Sequence, residues 1–334
     1  MESQTYTIGI IGIGVLGTAI KETFASYNTN IISNIICYDK YKKIGNNILD
    51  TCICDIIFIC LPTEYNDDKK EYDKSEIYNV FEELSRYNYK GYIILKSTVE
   101  PKTTIHLSFI FNNLNIIHSP EFLSARTAME DFKNQKHIVL GLVGYIDKIN
   151  NINSYTNSDI NINSDININS VNSDININIV NNDSNINSVN NIKDNVNNDI
   201  SNLIEIAKYL KTFFTLCFPL AKISICSSTE SESMKIFCNS FYATKIQFFT
   251  ETKLLCDKLE IDYNNVKDLM LSNNWINPMH TQVPGHDGKL SFGGKCLPKD
   301  INALNEFCKK LDVPNKVLEA VIQEHKELRK NDYE

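Results

Sequence analysis

Six residues, Gly12-Ile13-Gly14-Val15-Leu16-Gly17, constrain the first third of this chain more than any others. They end the short apolar run Thr7 to Ile13 and open a helix-like segment, Val15 to Phe24. Asp39 closes the next apolar run, Asn34 to Tyr38, and lies 22 residues beyond Gly17. Strand, glycine turn, helix, strand and acid in that register describe a turn built to hold a dinucleotide. Gly12 permits the tight turn, Gly14 lets a pyrophosphate approach the backbone, and Gly17 lets helix and strand pack closely. The phosphates would rest on the helix N-terminus, whose N–H groups lack intrahelical partners. Asp39 would accept from the adenosine ribose hydroxyls and repel a 2′-phosphate. That selects NAD over NADP, even with Lys40, Lys42 and Lys43 alongside.

Asp55 to Leu61, Gly91 to Ser97, Asn115 to His118 and His137 to Val143 are further near-continuous apolar runs. Such runs mark strands buried on both faces. Helix-like stretches such as Lys74 to Tyr87 lie between them, so the reading is α/β with a doubly wound parallel sheet. The pattern stops near Tyr145. From 151 to 200, 19 of 50 residues are Asn, and Asn-Ser-Asp-Ile-Asn-Ile-Asn occurs at 157–163, 163–169 and 172–178. A tract this polar is expected to be a disordered, solvated insertion in a surface turn. Setting it aside leaves roughly 280 residues to build folded domains. Globular character resumes with helix-like Leu203 to Phe214 and a last strand, Ala221 to Cys226. Thr229 to Leu259 then reads as one long helix, with Thr229 and Glu232 at capping-box spacing. Asp262 to Leu271 and the segments from Pro298 and from Pro314 read as further helices.

A net charge of -8 argues against a nucleic-acid or polyanion surface. The longest early apolar stretch, Ile8 to Ile20, is too short for a bilayer, and no signal-peptide order opens the chain. The ten cysteines are scattered, mostly in apolar runs. These features imply a cytoplasmic protein with reduced thiols, no membrane partner and no metal; Cys52-Ile53-Cys54 lacks a second ligand pair at zinc spacing. One cysteine differs from the rest. Cys296 follows Gly293 and Gly294 and immediately precedes a Pro-initiated helix, between Lys295 and Lys299. A helix N-terminus and two lysines would lower its thiol pKa. Lys235 and Asn239, four apart, would project from one helix face.

Leu61-Pro62-Thr63, Lys96-Ser97-Thr98-Val99-Glu100-Pro101, Ser119-Pro120-Glu121-Phe122-Leu123, Lys235 with Asn239, and Phe292-Gly293-Gly294-Lys295-Cys296-Leu297-Pro298-Lys299-Asp300 follow the glycine fingerprint in that order. The series closely resembles the UDP-glucose/GDP-mannose dehydrogenase family, over nearly all of 6–147 and 203–331. The resemblance implies an NAD-dependent, four-electron oxidation of a nucleotide-sugar C6 alcohol to a carboxylate, with UDP-glucose the expected substrate. Cys296 matches the family nucleophile, which adds to the intermediate aldehyde. Lys235 and Asn239 would sit over the reacting oxygen. Glu121, Thr98 and Asp300 would hold or activate the hydrolytic water. Gly12, Gly14, Val15, Leu16, Gly17, Asp39, Pro62, Thr63, Thr98 and Lys299 would bind cofactor. Glu121, Phe122, Leu123, Lys235, Asn239, Gly285, Asp287, Lys289 and Gly293 would meet substrate, with His286 as a loop residue only.

The implied architecture is a Rossmann-type NAD-binding domain at 1–147, interrupted by an insertion at 148–202 and completed by 203–227. An all-helical central domain at 228–334 would carry the cysteine loop and form a homodimer. The family's C-terminal nucleotide-binding domain is not contained in these 334 residues. Three alternatives stay open: another UDP- or GDP-sugar dehydrogenase, a β-hydroxyacid dehydrogenase relative that needs no thiol, and a non-catalytic NAD-binding subunit.

Overall fold

Ile56–Ile59 is buried at every position, which demands cover on both faces of its strand. In the computed structural model, which describes residues 5–27, 30–144 and 186–330, with side chains from 201 on in the last span, that cover is a layer of helices on each side. The strands are β1 (Tyr6–Ile11), β2 (Ile32–Tyr38), β3 (Ile56–Ile59), β4 (Tyr65–Asn66), β5 (Glu71–Tyr72), β6 (Tyr92–Leu95), β7 (Asn115–His118), β8 (His137–Leu142) and β9 (Lys222–Ser227). Seven of them form one sheet in the order β2-β1-β3-β6-β7-β8-β9, while β4 and β5 make a separate hairpin. The order turns back on itself between β1 and β3. A crevice therefore opens beyond the C-terminal ends of those strands, where ligands bind in open α/β sheets.

The helices are α1 (Val15–Ala25), α2 (Ser75–Arg86), α3 (Thr103–Ile110), α4 (Ala128–Lys133), α5 (Ile186–Cys217), α6 (Ser228–Lys258), α7 (Tyr263–Leu271), α8 (Cys296–Lys310) and α9 (Lys316–Leu328). One face of the sheet packs an aromatic cluster from α1, α4 and α5. Phe24 lies 5.4 Å from Phe58 and 5.8 Å from Phe213 between ring centroids. The other face receives Ile77, Phe81 and Leu84 of α2 and Leu107 of α3. Among the described residues, no helix is long and apolar enough to cross a membrane.

The expected parallel-dominated, doubly wound sheet is present, and three details depart from expectation. One pair within the sheet is antiparallel, β8 with β7, and β9 runs parallel to β8. The short α4 packs on α1, with Phe24 and Phe132 5.9 Å apart, instead of crossing the sheet between β7 and β8. The chain thus enters β8 from the opposite end. Second, the long helix is capped two residues earlier than expected. Ser227 Oγ accepts from the Glu230 N–H at 3.2 Å, and Glu230 Oε2 accepts from the Ser227 N–H at 2.9 Å. Glu232 is instead fully buried and caps α3, accepting from the N–H groups of Lys102 and Thr104, both at 2.7 Å. Burial pushes its carboxyl up to about 7.

Third, α5 begins at Ile186, inside the Asn-rich tract. Ile186, Val189, Ile192, Val196, Ile200 and Leu203 recur at helical spacing, a stripe hidden by the surrounding asparagines. The rest of the expected disorder of 148–202, at 148–185, lies outside the described residues.

Candidate active site

The glycine turn caps the crevice. Gly12 has φ +91° and its N–H donates to the Tyr38 carbonyl at 2.9 Å. A Cβ there would lie 2.6 Å from the Cys60 carbonyl oxygen, and one at Gly17 only 1.9 Å from the Gly12 oxygen. Those two glycines are needed for packing. Gly14 is different: a Cβ would meet no atom within 4 Å. It is the N-cap of α1, with no side-chain cap and no acid in the first turn, so the leading N–H groups face open space. Val15 is exposed beside them and Leu16 packs into the core. Asp39 Oδ2 accepts from the Ile13 N–H at 2.8 Å, and Oδ1 from the Lys42 N–H at 2.8 Å. The carboxylate is thereby held at the tip of β2 beside the fingerprint. Pro62 is exposed at the mouth of the crevice, and buried Thr63 donates to the Thr98 carbonyl at 2.7 Å, tying the ends of β3 and β6 together. The open cradle at Gly14, the uncapped helix and the fixed acid fit a dinucleotide.

The contrast between glycines gives a prediction. Gly14→Val is expected to melt within a few degrees of the parent while losing the thermal shift that NAD⁺ induces. Gly17→Ala, by contrast, should lose about 1–3 kcal/mol or more to overpacking. Differential scanning fluorimetry with and without NAD⁺ checks both.

Across the crevice, α6 and α8 present polar groups between their packed apolar positions. Lys235 of α6 is buried and its Nζ donates to the Glu121 carbonyl at 2.7 Å, with Glu121 Oε1 at 3.1 Å. Burial works against that charge, but Glu121 and Asp300 hold the ammonium above its ordinary pKa. One turn on, Asn239 Nδ2 donates to Asp300 Oδ2 at 2.5 Å. Asp300 is fully buried, and its Oδ1 also accepts from Tyr72 Oη and from Lys299 Nζ, each at 2.6 Å. Lys299 Nζ sits 4.4 Å from the centre of the Tyr72 ring. Lys235 lies 5.8 Å from the centre of the Phe122 ring, which stacks on His137, while Leu123 packs into the core.

Cys296 stands at the first residue of α8, with Pro298 inside its first turn, so the helix starts earlier than expected. Its surface is accessible, and Lys299, Asp300, Glu121 and Lys235 all act on its charge. The expected lowering of its pKa is also corrected. Desolvation pushes the thiol up; Lys299 and Lys235 pull it down, while Asp300 and Glu121 oppose them. The two lysines are matched by two carboxylates: Asp300, next to Lys299 in the chain, and Glu121, which only the fold brings to the cysteine.

The 285–289 loop closes on itself, the Gly285 N–H donating to the Lys289 carbonyl at 2.9 Å and the Lys289 N–H to Asp287 Oδ1 at 3.1 Å. Arg329, at the end of α9, fixes it: Nη1 reaches Asp287 Oδ2 at 2.7 Å and Nε the Leu290 carbonyl at 2.8 Å. A Cβ on Gly293 would lie 2.9 Å from both Arg329 Nη1 and Asp287 Oδ2, so a larger residue there would displace that ion pair.

The expected catalytic residues converge on one crevice through their charges and hydrogen bonds, with Thr98 joined through Thr63 at the cofactor side. Tyr72, Arg329 and Lys96 were not foreseen. Lys96 is buried, its Nζ donating to the Pro120 carbonyl at 3.2 Å and to Ser119 Oγ at 3.3 Å. Burial pushes it down to about 8. It braces the turn that presents Glu121. Its place in the Lys96-Ser97-Thr98 motif was visible in sequence, but its direction was not.

Two family models match this chain: the NAD binding domain of the UDP-glucose/GDP-mannose dehydrogenase family at residues 50–150, and that family's central domain at 229–326. The chain is similar to the UDP-glucose 6-dehydrogenase of Rickettsia bellii, 32% identical over 263 residues, covering 77% of this chain and 46% of that one. It spans about half the length of the Rickettsia relatives it matches. Among solved structures it is similar to a UDP-glucose dehydrogenase from Pyrobaculum islandicum (TM-score 0.67, 18% identity, covering 96% of this chain and 68% of that one). A 3-hydroxyisobutyrate dehydrogenase from Mycobacterium tuberculosis shares the fold at TM-score 0.60 and 12% identity, covering 97% of this chain and 94% of that one.

Proposed function

Because the chain belongs to the UDP-glucose/GDP-mannose dehydrogenase family, we propose that it oxidises the C6 alcohol of a nucleotide sugar, UDP-glucose before others, to the carboxylate. The observation that carries this reading is the accessible Cys296 within the charge field of Lys235, Glu121, Lys299 and Asp300. NAD⁺, when bound, supplies the acceptor for one hydride at each of two steps. Gly12, Gly14, Val15, Leu16, Gly17 and Asp39 would hold it, with Pro62, Thr63, Thr98 and Lys299 toward the reacting end.

In this reading the first oxidation would convert the alcohol to an aldehyde with loss of one hydride, its hydroxyl proton passing to solvent through the site. Cys296 sulfur then adds to the aldehyde carbon. The resulting thiohemiacetal again carries a C–H bond that can lose hydride, leaving a thioester. Water adds to the thioester carbon, the C–S bond breaks, and the carboxylate departs. Lys235, with Asn239, stabilises negative charge on the reacting oxygen at both stages. Glu121, beside Lys235, takes the proton of the attacking water, with Thr98 and Asp300 positioning it. Asp300 holds Asn239 in place. Phe122, Leu123, Gly285, Asp287, Lys289 and Gly293 would shape the sugar-nucleotide side.

Counting NADH released per UDP-glucose consumed tests the reading. Two supports it. One would favour a simple alcohol dehydrogenase such as a β-hydroxyacid relative, and none with several nucleotide sugars would favour a non-catalytic cofactor-binding subunit.

A homodimer accords with the exposed face of α6. Phe237, Phe241, Phe248, Leu255 and Leu259 are each more than half exposed and recur at spacings of four and seven, one continuous stripe. Sedimentation at micromolar concentration is expected to find a dimer, and Phe241→Glu with Phe248→Glu a monomer. A monomeric parent would remove the dimer claim.

A further inference from the structure

At the N-terminus of α1 a cleft of about 550 Å³ is walled by Gly14, Val15 and Thr18 on one side and by Arg126, Thr127 and Met129 on the other. Two cationic side chains line it, Lys42 and Arg126, together with one acid, Glu130. Lys42 is already engaged: its Nζ donates to the carbonyl of Ile13, inside the fingerprint, at 2.6 Å. Arg126 is not tied to the fingerprint. Its hydrogen-bond partner among the described residues is His286, with Nη2 3.4 Å from Nε2, a long contact at an exposed site. A guanidinium can only donate, so the imidazole must accept through an unprotonated Nε2. That leaves most of the donor fork of Arg126 unused in a cleft that also receives the open N–H groups of α1. Paired phosphate oxygens are the acceptors that such a fork matches best.

We propose that Arg126 is a diphosphate-binding residue of the cofactor site, gripping the dinucleotide from the wall opposite α1. Through His286 it also links that site to the 285–289 loop. The proposal rests on the reading of this cleft as the NAD site and adds to it a side chain that the glycine fingerprint does not supply. His286 lies next to Asp287, which Arg329 anchors. Arg126 therefore joins the cofactor side of the crevice to the loop on the substrate side.

Titration calorimetry of the 334-residue chain with NAD⁺, ADP-ribose and adenosine tests it. Arg126→Ala is expected to weaken NAD⁺ and ADP-ribose by about tenfold while leaving adenosine unchanged, because charge-assisted bonds to phosphate are lost. Arg126→Lys should recover part of the loss, as a point charge without the fork. His286→Ala should bind NAD⁺ at least as tightly as the parent, since it releases the guanidinium. Unchanged NAD⁺ affinity in Arg126→Ala would overturn the proposal. So would an equal loss of adenosine affinity, or a loss in His286→Ala as large as that in Arg126→Ala. A parent chain that binds neither NAD⁺ nor ADP-ribose would sink the cofactor reading as well, which separates the two failures.

Discussion

Cys296→Ser is expected to abolish carboxylate formation, by ~10³-fold or more, while one NADH per sugar still appears in a single turnover. The thiol alone can convert the aldehyde into a tetrahedral adduct that loses a second hydride. Serine at that position has no adjacent base comparable to those of serine hydrolases, because Lys235 is engaged with Glu121. Product analysis should therefore find aldehyde, or its hydrate, in place of acid. Unchanged turnover to carboxylate would remove the thiol route. The raised thiol pKa adds a pH signature. A thiol whose pKa lies above the ordinary value is less ionised at neutral pH than a free cysteine, and its thiolate fraction keeps rising as pH climbs past that value. Alkylation of Cys296 by iodoacetamide should follow that rise. Lys299→Met removes a cation that pulls the thiol down, so alkylation at pH 8 should slow further.

Asp300→Ala is expected to be the most damaging single change to stability among the polar residues. The carboxylate has no solvent exposure and gathers Tyr72 Oη, Lys299 Nζ and Asn239 Nδ2 within 2.6 Å. Removing it strands a phenol, an amide and a mostly buried ammonium at once. Breaking a buried ion pair by deleting one partner costs about 3–5 kcal/mol, since the remaining charge is left uncompensated. At about 2–4 °C per kcal/mol for a large domain, melting should fall by upwards of about 6 °C. Asp300→Asn keeps an acceptor for Tyr72 but loses the charge facing Lys299, so its melting temperature should fall between the two. Melting curves of the three proteins check this order. An alanine variant that melts with the parent would show that the cluster is solvated and that its geometry does not hold Asn239.

The fold was legible where local rules govern it. Ile56–Ile59 and Tyr92–Leu95 are continuous apolar runs, and only a strand sandwiched between helices satisfies them. The glycine turn was legible because three glycines at fixed spacing end an apolar strand and open a helix, a pattern set within a few residues. What local sequence hid was partnership over distance. Tyr72 meets Asp300 across 228 positions and Glu232 caps a helix 128 positions away. No periodicity encodes such pairs. The capping-box error has the same origin: Thr229-x-x-Glu232 and Ser227-x-x-Glu230 both have the right spacing, and the burial of Glu232 against α3 decides between them.

By itself, then, the sequence determined a dinucleotide turn, a sheet covered on both faces and a cysteine loop beside a long helix, since steric and apolar patterns act within a few residues. Tertiary structure alone decided the ionisation of the site. Whether Cys296 is a thiol or a thiolate depends on Lys235 and Lys299 set against Glu121 and Asp300, and on how much water the assembled walls exclude. Coulomb energy and desolvation depend on distance and burial in space, and neither is set by spacing along the chain.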